Sequence, residues 1–151
     1  MARYPKKLQD LLDTFATFGD QADRVNLLLG YADAFRDVPA AVATRPFDPR
    51  HQVPQCESDA YAWAVPGDGG VLALHFAVEN PSGVSAKALA AILQATLSGS
   101  SPDEIASVGP EIVEQIFRQN ISMGKGMGLM SMVLAVQALA RQAERQQGGG
   151  A

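Results

Sequence analysis

The hydrophobic pattern changes period twice along the chain, and this restricts the fold more than any other feature. From Pro5 to Phe18, Leu8, Leu11, Leu12, Phe15 and Phe18 recur at steps of three and four, the stripe of an amphipathic helix. Asp20 reads as the N-cap of a second helix, whose expected buried stripe is Val25, Leu28, Leu29, Ala32 and Phe35. Between Ser58 and Val78 the step falls to two. Tyr61, Trp63 and Val65 alternate with Ala60, Ala62 and Ala64, and Leu72, Leu74, Phe76 and Val78 alternate with Ala73, His75 and Ala77. Pro66-Gly67-Asp68-Gly69-Gly70 separates the two runs, which predicts a hairpin. A third strand over His51 to Gln55 is weakly supported. The helical step then returns in Val84, Ala88, Leu89, Ile92, Leu93 and Leu97. The order helices, small antiparallel sheet of two to three strands, helices defines an α+β fold.

Local signals fix several boundaries. Four prolines between Arg36 and Pro54 bar regular helix or a central strand, so this is a long irregular connection of the kind that often carries function. Ser101-Pro102-Asp103-Glu104 is a capping box with proline in the first turn. The helix it opens should pause at Gly109-Pro110 and resume through Ile112, Ile116 and Phe117. A final helix is expected from about Met127 to Gln146, with Leu129, Met132, Val133, Val136 and Leu139 facing inward. With 151 residues the chain fits one domain, taken as 1–147, and Gly148 to Ala151 as a disordered glycine-rich tail.

Charge and cysteine usage exclude several classes. A net charge of −4 with no basic run disfavours nucleic acid and anionic membrane surfaces as partners. The longest apolar-rich stretch, Gly128 to Ala140, is broken by Ser131 and Gln137 and falls short of the roughly 20 residues a membrane span requires. Met1 to Lys7 leads into a mixed polar segment with no visible secretory signal, so a cytoplasmic location is expected. One cysteine, Cys56, permits no internal disulfide and no multi-cysteine metal or iron–sulfur site, and no cofactor or metal is expected.

Cys56 is the residue on which function turns. A free cysteine is commonly a small buried hydrophobe. This one has Pro54, Gln55, Glu57, Ser58 and Asp59 around it, where the proline-rich connection meets the first strand. Glu57 and Asp59 oppose a thiolate, whereas Arg50 and His51 favour one if the loop folds back. Hydrolytic cysteine chemistry requires a base and an oxyanion site, and neither His51 nor His75 stands at a diagnostic spacing. Receiving sulfur from a persulfide requires less, since a partner can supply the acid and base. His51, five residues away, has the better claim to tune the thiol; His75 reads as structural. Gly124-Lys125-Gly126-Met127-Gly128 resembles a phosphate loop only superficially, because no strand precedes it, and reads as a flexible lead into the last helix. Met123, Met127, Met130 and Met132 read first as core filler, with an adaptable partner-binding groove as the second reading and a soft-metal site as a remote third.

Three blocks carry a family resemblance. Val53-Pro54-Gln55-Cys56-Glu57-Ser58-Asp59-Ala60-Tyr61 resembles the V-x-G-C-x-S-x-V-W loop of the SufE family, sulfur-acceptor partners of cysteine desulfurases. Lys87 to Leu93 followed by Ser101-Pro102-Asp103-Glu104-Ile105 resembles the family's K-G-L-x-A-x-x helix and T-P-x-x-I helix start. Lys125-Gly126-Met127-Gly128-Leu129 resembles the R-x-x-G-L/M opening of its last helix. The sequence departs from the pattern at Gln55 and Ala88, where the family has glycine, at Tyr61 for tryptophan, and at Lys125 for arginine. The resemblance implies a SufE/IscU-like fold in which Cys56 accepts sulfur from a pyridoxal-phosphate-dependent cysteine desulfurase and stimulates its turnover. The sulfur then passes to an iron–sulfur scaffold protein. His51, Gln55, Ser58 and Lys125 are the implied loop or partner contacts, and a homodimer is left open. Two other readings stand beside this one: an iron–sulfur scaffold of related fold, disfavoured by the single cysteine, and an interaction adaptor in which Cys56 is inert.

Overall fold

A computed structural model describes residues 4–118 and 121–149. In chain order it contains helices α1 (Lys6–Thr17) and α2 (Gln21–Ala34), strands β1 (Ala60–Pro66) and β2 (Leu72–Val78), and helices α3 (Val84–Leu97), α4 (Pro102–Ala106), α5 (Glu111–Phe117) and α6 (Met123–Gly149). The fold is α+β, with a two-stranded antiparallel sheet. The weak third-strand signal appears as an isolated bridge between Gln52 and Tyr61, and Ser100 makes another to Leu72 on the opposite edge.

The two period-two runs combine by size. The register opposes Ala60 to Val78, Ala62 to Phe76 and Ala64 to Leu74, so the small face of β1 lies beside the bulky face of β2. This shared face packs against α3 and α6. The opposite face carries Tyr61 and Trp63 of β1 next to Ala77 and His75 of β2. The proline-rich connection covers it: Val38 and Phe47 join Trp63 and Ala77 in a second small core. Phe47 meets Trp63 edge-on at 5.0 Å. Arg45 lies 4.7 Å over Phe47 and bonds Asp37 and Glu79, which fastens the connection to the hairpin. The glycines of the hairpin turn are used for their backbone, since Gly69 and Gly70 take φ of +75° and +79°.

Caps form where the side chains predict them. The Asp20 carboxylate accepts from the Ala22 N–H at 2.8 Å. The capping box closes with Ser101 Oγ accepting from the Glu104 N–H at 3.2 Å and Glu104 accepting from the Ser101 N–H at 3.0 Å. Around α3 the core is nearly continuous, with Ala86, Ala88, Leu89, Ala90, Ile92, Leu93 and Leu97 all buried.

Four sequence expectations are corrected. In α2 the buried positions are Arg24 and Leu28, whereas Leu29 is exposed. Arg24 turns inward because its guanidinium donates to the carbonyls of Phe15, Gln115 and Ile116, capping the last turns of α1 and α5 together. Val84 is exposed at the start of α3. Helix α6 begins at Met123, so Gly124 to Gly128 lie inside it, and it continues through Gly148 and Gly149. Residues 150 and 151 of the expected tail lie outside the described residues. Of the four clustered methionines only Met132 is core; Met123, Met127 and Met130 are exposed. The run Met123–Gln147 also has the length and mean hydropathy, 1.3, of a membrane-crossing segment by those criteria alone. Its Leu129, Met132, Val133, Val136, Ala140 and Ala143 nevertheless belong to the central core of this domain.

Candidate functional site

Cys56 sits at the crown of a short loop tied at both ends. Below it, the Val53 N–H donates to the Ala60 carbonyl at 2.8 Å, and the buried Val53 side chain anchors the loop in the core. Across the crown, the Asp59 N–H donates to the Cys56 carbonyl at 3.1 Å, and the Gln52 amide donates to Asp59 Oδ1 at 2.7 Å. The Glu79 and Asn80 N–H groups reach back to the carbonyls of Asp59 and Ser58. Two non-glycine residues of this loop take left-handed backbone, Gln55 at φ +59° and Asp59 at φ +56°. A side chain in that region costs about 1–2 kcal/mol, a cost glycine avoids. Position 55 is where the loop pattern of the resembled family has glycine, and the backbone conformation supplies the reason.

Two glycines bring helices against the loop. A Cβ at Gly128 would stand 3.4 Å from Cys56 Cα and 3.4 Å from the Gln55 carbonyl oxygen, so α6 touches the backbone behind the thiol. A Cβ at Gly83 would come within 2.9 Å of Ser58, which lets the start of α3 close the other side. Between these contacts lies a depression of about 160 Å³ whose lining includes Cys56, Ser58, Ser82, Val84, Lys125 and Leu129. A broader hollow of about 620 Å³ opens on the far side of the same loop, bordered by Pro49, Gln52, Gln55, Cys56 and Glu57. Cys56 is half-buried and borders both.

The sequence-derived candidates separate in space. Ser58 and Lys125 line the smaller depression with Cys56, and Gln55 borders the broader one. His51 lines neither. Its Nδ1 is 3.1 Å from the Ala62 carbonyl and its ring stacks on Trp63 at 5.3 Å, which ties it to the outer aromatic face of the hairpin. His75 lies across from Trp63 on that face. Burial lowers its pKa, and its buried Nδ1 has no hydrogen-bond partner among the described residues. Sequence reasoning missed Gly83, Ser82 and Val84 as site residues. No local signal pointed to them, because Val84 reads with the buried stripe of α3 and its exposure appears only in the packed structure.

Chemically, the depression offers one thiol, serine hydroxyls, one ammonium group and the Glu57 carboxylate. Among the described residues no group of three or more His, Cys, Asp or Glu side chains is placed to hold a metal ion. The site is thus a half-buried thiol on an anchored loop, flanked by the starts of two helices in a small α+β domain.

Residues 9–140 match the family described as SufE, the Fe-S metabolism associated domain, and the chain belongs to that family. Its place is therefore in iron–sulfur metabolism. The solution structure of a hypothetical protein from Thermus thermophilus is similar, with TM-score 0.72 and 27% identity over 93% of this chain and 97% of that one. No curated protein matches the chain.

Proposed function

We propose that the chain is a sulfur acceptor: Cys56 takes the outer sulfur of a persulfide on a pyridoxal-phosphate-dependent cysteine desulfurase and passes it to an iron–sulfur scaffold protein. In the step, the Cys56 thiolate attacks the outer persulfide sulfur. A new S–S bond forms at Cys56 Sγ, the donor's S–S bond breaks, and the donor cysteine leaves as thiolate and takes up the proton that Cys56 released. One persulfide is consumed and one is formed, so no external oxidant or reductant is required. Removal of the sulfur frees the donor for another turnover, which is how the chain stimulates the enzyme.

The observation that carries this reading is the position of Cys56 at the border of two depressions, half-buried on a loop anchored at both ends. Half-burial shelters a persulfide from oxidation and reductants while leaving it in reach of a docked protein. Lys125, on the wall of the smaller depression, supplies positive charge for the sulfur anion. The test is to incubate the pure chain with a cysteine desulfurase and cysteine and then to weigh it. A gain of one sulfur atom, absent in Cys56→Ser, is expected, together with loss of desulfurase stimulation in that variant. Bound iron would favour a scaffold, and an unchanged mass would favour an adaptor with an inert thiol; either result overturns the proposal.

A further inference from the structure

The two depressions that Cys56 borders are built differently. The smaller, about 160 Å³, takes its walls from three separated stretches, within residues 56–58, 80–86 and 124–129. The broader, about 620 Å³, is bounded by a single stretch within residues 49–57, so neither α3 nor α6 closes over it. Cys56 Sγ is turned toward the smaller one. The Cβ that Gly128 lacks would stand 3.9 Å from Sγ, and Gly128 lines the smaller depression but not the broader.

Sulfur transfer adds a stereochemical condition. In attack on a divalent sulfur the entering and leaving sulfurs stand nearly in line. A sulfur carried on Cys56 projects about 2 Å beyond Sγ. The thiol that removes it comes up on the extension of that bond, and the thiol that delivered it left along the same line. Pockets that take in a group of several heavy atoms measure about 300–1,000 Å³. The broader hollow falls inside that range, whereas the smaller depression is about half its lower limit. A sulfur lodged in the smaller depression therefore has no room behind it for an attacking residue.

We propose that the broader hollow is the one entrance through which Cys56 both receives and yields sulfur, and that the smaller depression stores the sulfur between the two exchanges. The inference rests on the sulfur-acceptor reading and specifies the order of its partners. Rotation of the Cys56 side chain between staggered positions carries the outer sulfur from one side to the other. In the second exchange the acceptor thiolate forms an S–S bond to the outer sulfur and the bond to Sγ breaks. Cys56 leaves as thiolate and takes up the proton that the acceptor released, so again no oxidant or reductant is consumed. Donor and acceptor thus use one entrance in turn, and the chain carries sulfur between them without bridging them.

The test crowds each side separately. Gln55 and Pro49 are exposed and line only the broader hollow; Val84 lines the smaller depression and not the broader. Three rates are followed by mass in wild type, Gln55→Trp, Pro49→Trp and Val84→Trp, after calorimetric melting has shown each to be folded. They are sulfur gain from a cysteine desulfurase supplied with cysteine, sulfur loss from the loaded chain to glutathione, and alkylation of Cys56 by N-ethylmaleimide. Gln55→Trp and Pro49→Trp are expected to slow all three by about tenfold, an added barrier of roughly 1.4 kcal/mol. Val84→Trp is expected to speed sulfur loss, because a sulfur denied its storage place spends more time on the open side. If the two entrance variants fail to slow both gain and loss, or if Val84→Trp slows loss, the single entrance is overturned and the acceptor reading stands. If the wild type gains no sulfur from the desulfurase, the acceptor reading falls instead. Alkylation then decides the entrance by itself: slowed in Gln55→Trp and Pro49→Trp it stands, and unslowed it falls too.

Discussion

Gly128 is where the helix scaffold meets the Cys56 loop, and substitutions there should change sign with side-chain shape. An alanine Cβ at this position stands 3.4 Å from Cys56 Cα and from the Gln55 oxygen and 3.9 Å from Cys56 Sγ, which are ordinary contact distances. Glycine inside a helix costs about 1 kcal/mol relative to alanine. Gly128→Ala should therefore raise the melting temperature by about 2–4 °C in a domain of this size. Valine differs because its two γ-carbons extend about 1.5 Å further on a side chain whose χ1 is nearly fixed in a helix. One of them meets loop backbone that has no room to spare, and overpacking of this kind costs about 1–3 kcal/mol. Gly128→Val should melt below wild type, with its loop displaced. Calorimetric melting of the three proteins gives the stabilities. The rate of Cys56 alkylation by iodoacetamide, read by mass, reports the loop: unchanged in the alanine variant and altered in the valine variant. Equal stability of the two variants with equal alkylation rates would refute the idea that α6 holds the Cys56 loop through this contact.

Arg24→Met removes three hydrogen bonds from a side chain only 3% exposed and takes its shared donor away from the last turns of α1 and α5. A loss of about 3 kcal/mol is expected in urea unfolding. Arg24→Lys should not restore it, because one ammonium group cannot span carbonyls from two helices; a loss below about 1 kcal/mol in the methionine variant refutes the capping role. His75 gives a pH signature. Its folded pKa lies below the ordinary 6.5 because burial disfavours the cation. Above 6.5 both states are neutral and its contribution is intact; as pH falls below that value the unfolded chain binds the proton first and stability declines, flattening once the folded pKa is passed. Subtracting the stability–pH curve of His75→Phe from that of wild type should isolate this decline, and a difference that stays flat between pH 7 and 4 would count against it.

Elements that depend on neighbouring residues were legible in the sequence. The hairpin follows from alternation around a glycine-rich turn, and the α4 start from four consecutive residues whose side chains and backbone satisfy each other. The loop position of Cys56 was legible too, as a lone thiol in a polar, proline-edged segment. Its surroundings were not. His51 stands five residues from Cys56, yet its ring serves the aromatic face of β1, because Trp63 and the Ala62 carbonyl offer it a stack and an acceptor. Gly83 and Gly128 are 25 or more residues from Cys56 and become its neighbours only when α3 and α6 pack onto the hairpin.

The same division explains α2 and α6. Periodicity marks which residues of a helix can share a face, and the amino-acid sequence determined that much by itself. Which face is buried depends on where the other elements end. Arg24 is inside because two helix C-termini present carbonyl oxygens that its guanidinium can reach together. Met123, Met127 and Met130 are outside because the opposite side of α6 already fills the core with Leu129, Met132, Val133 and Val136. Hydrophobicity is a property of a residue, whereas burial is a property of the assembled packing, and only tertiary structure could decide the second.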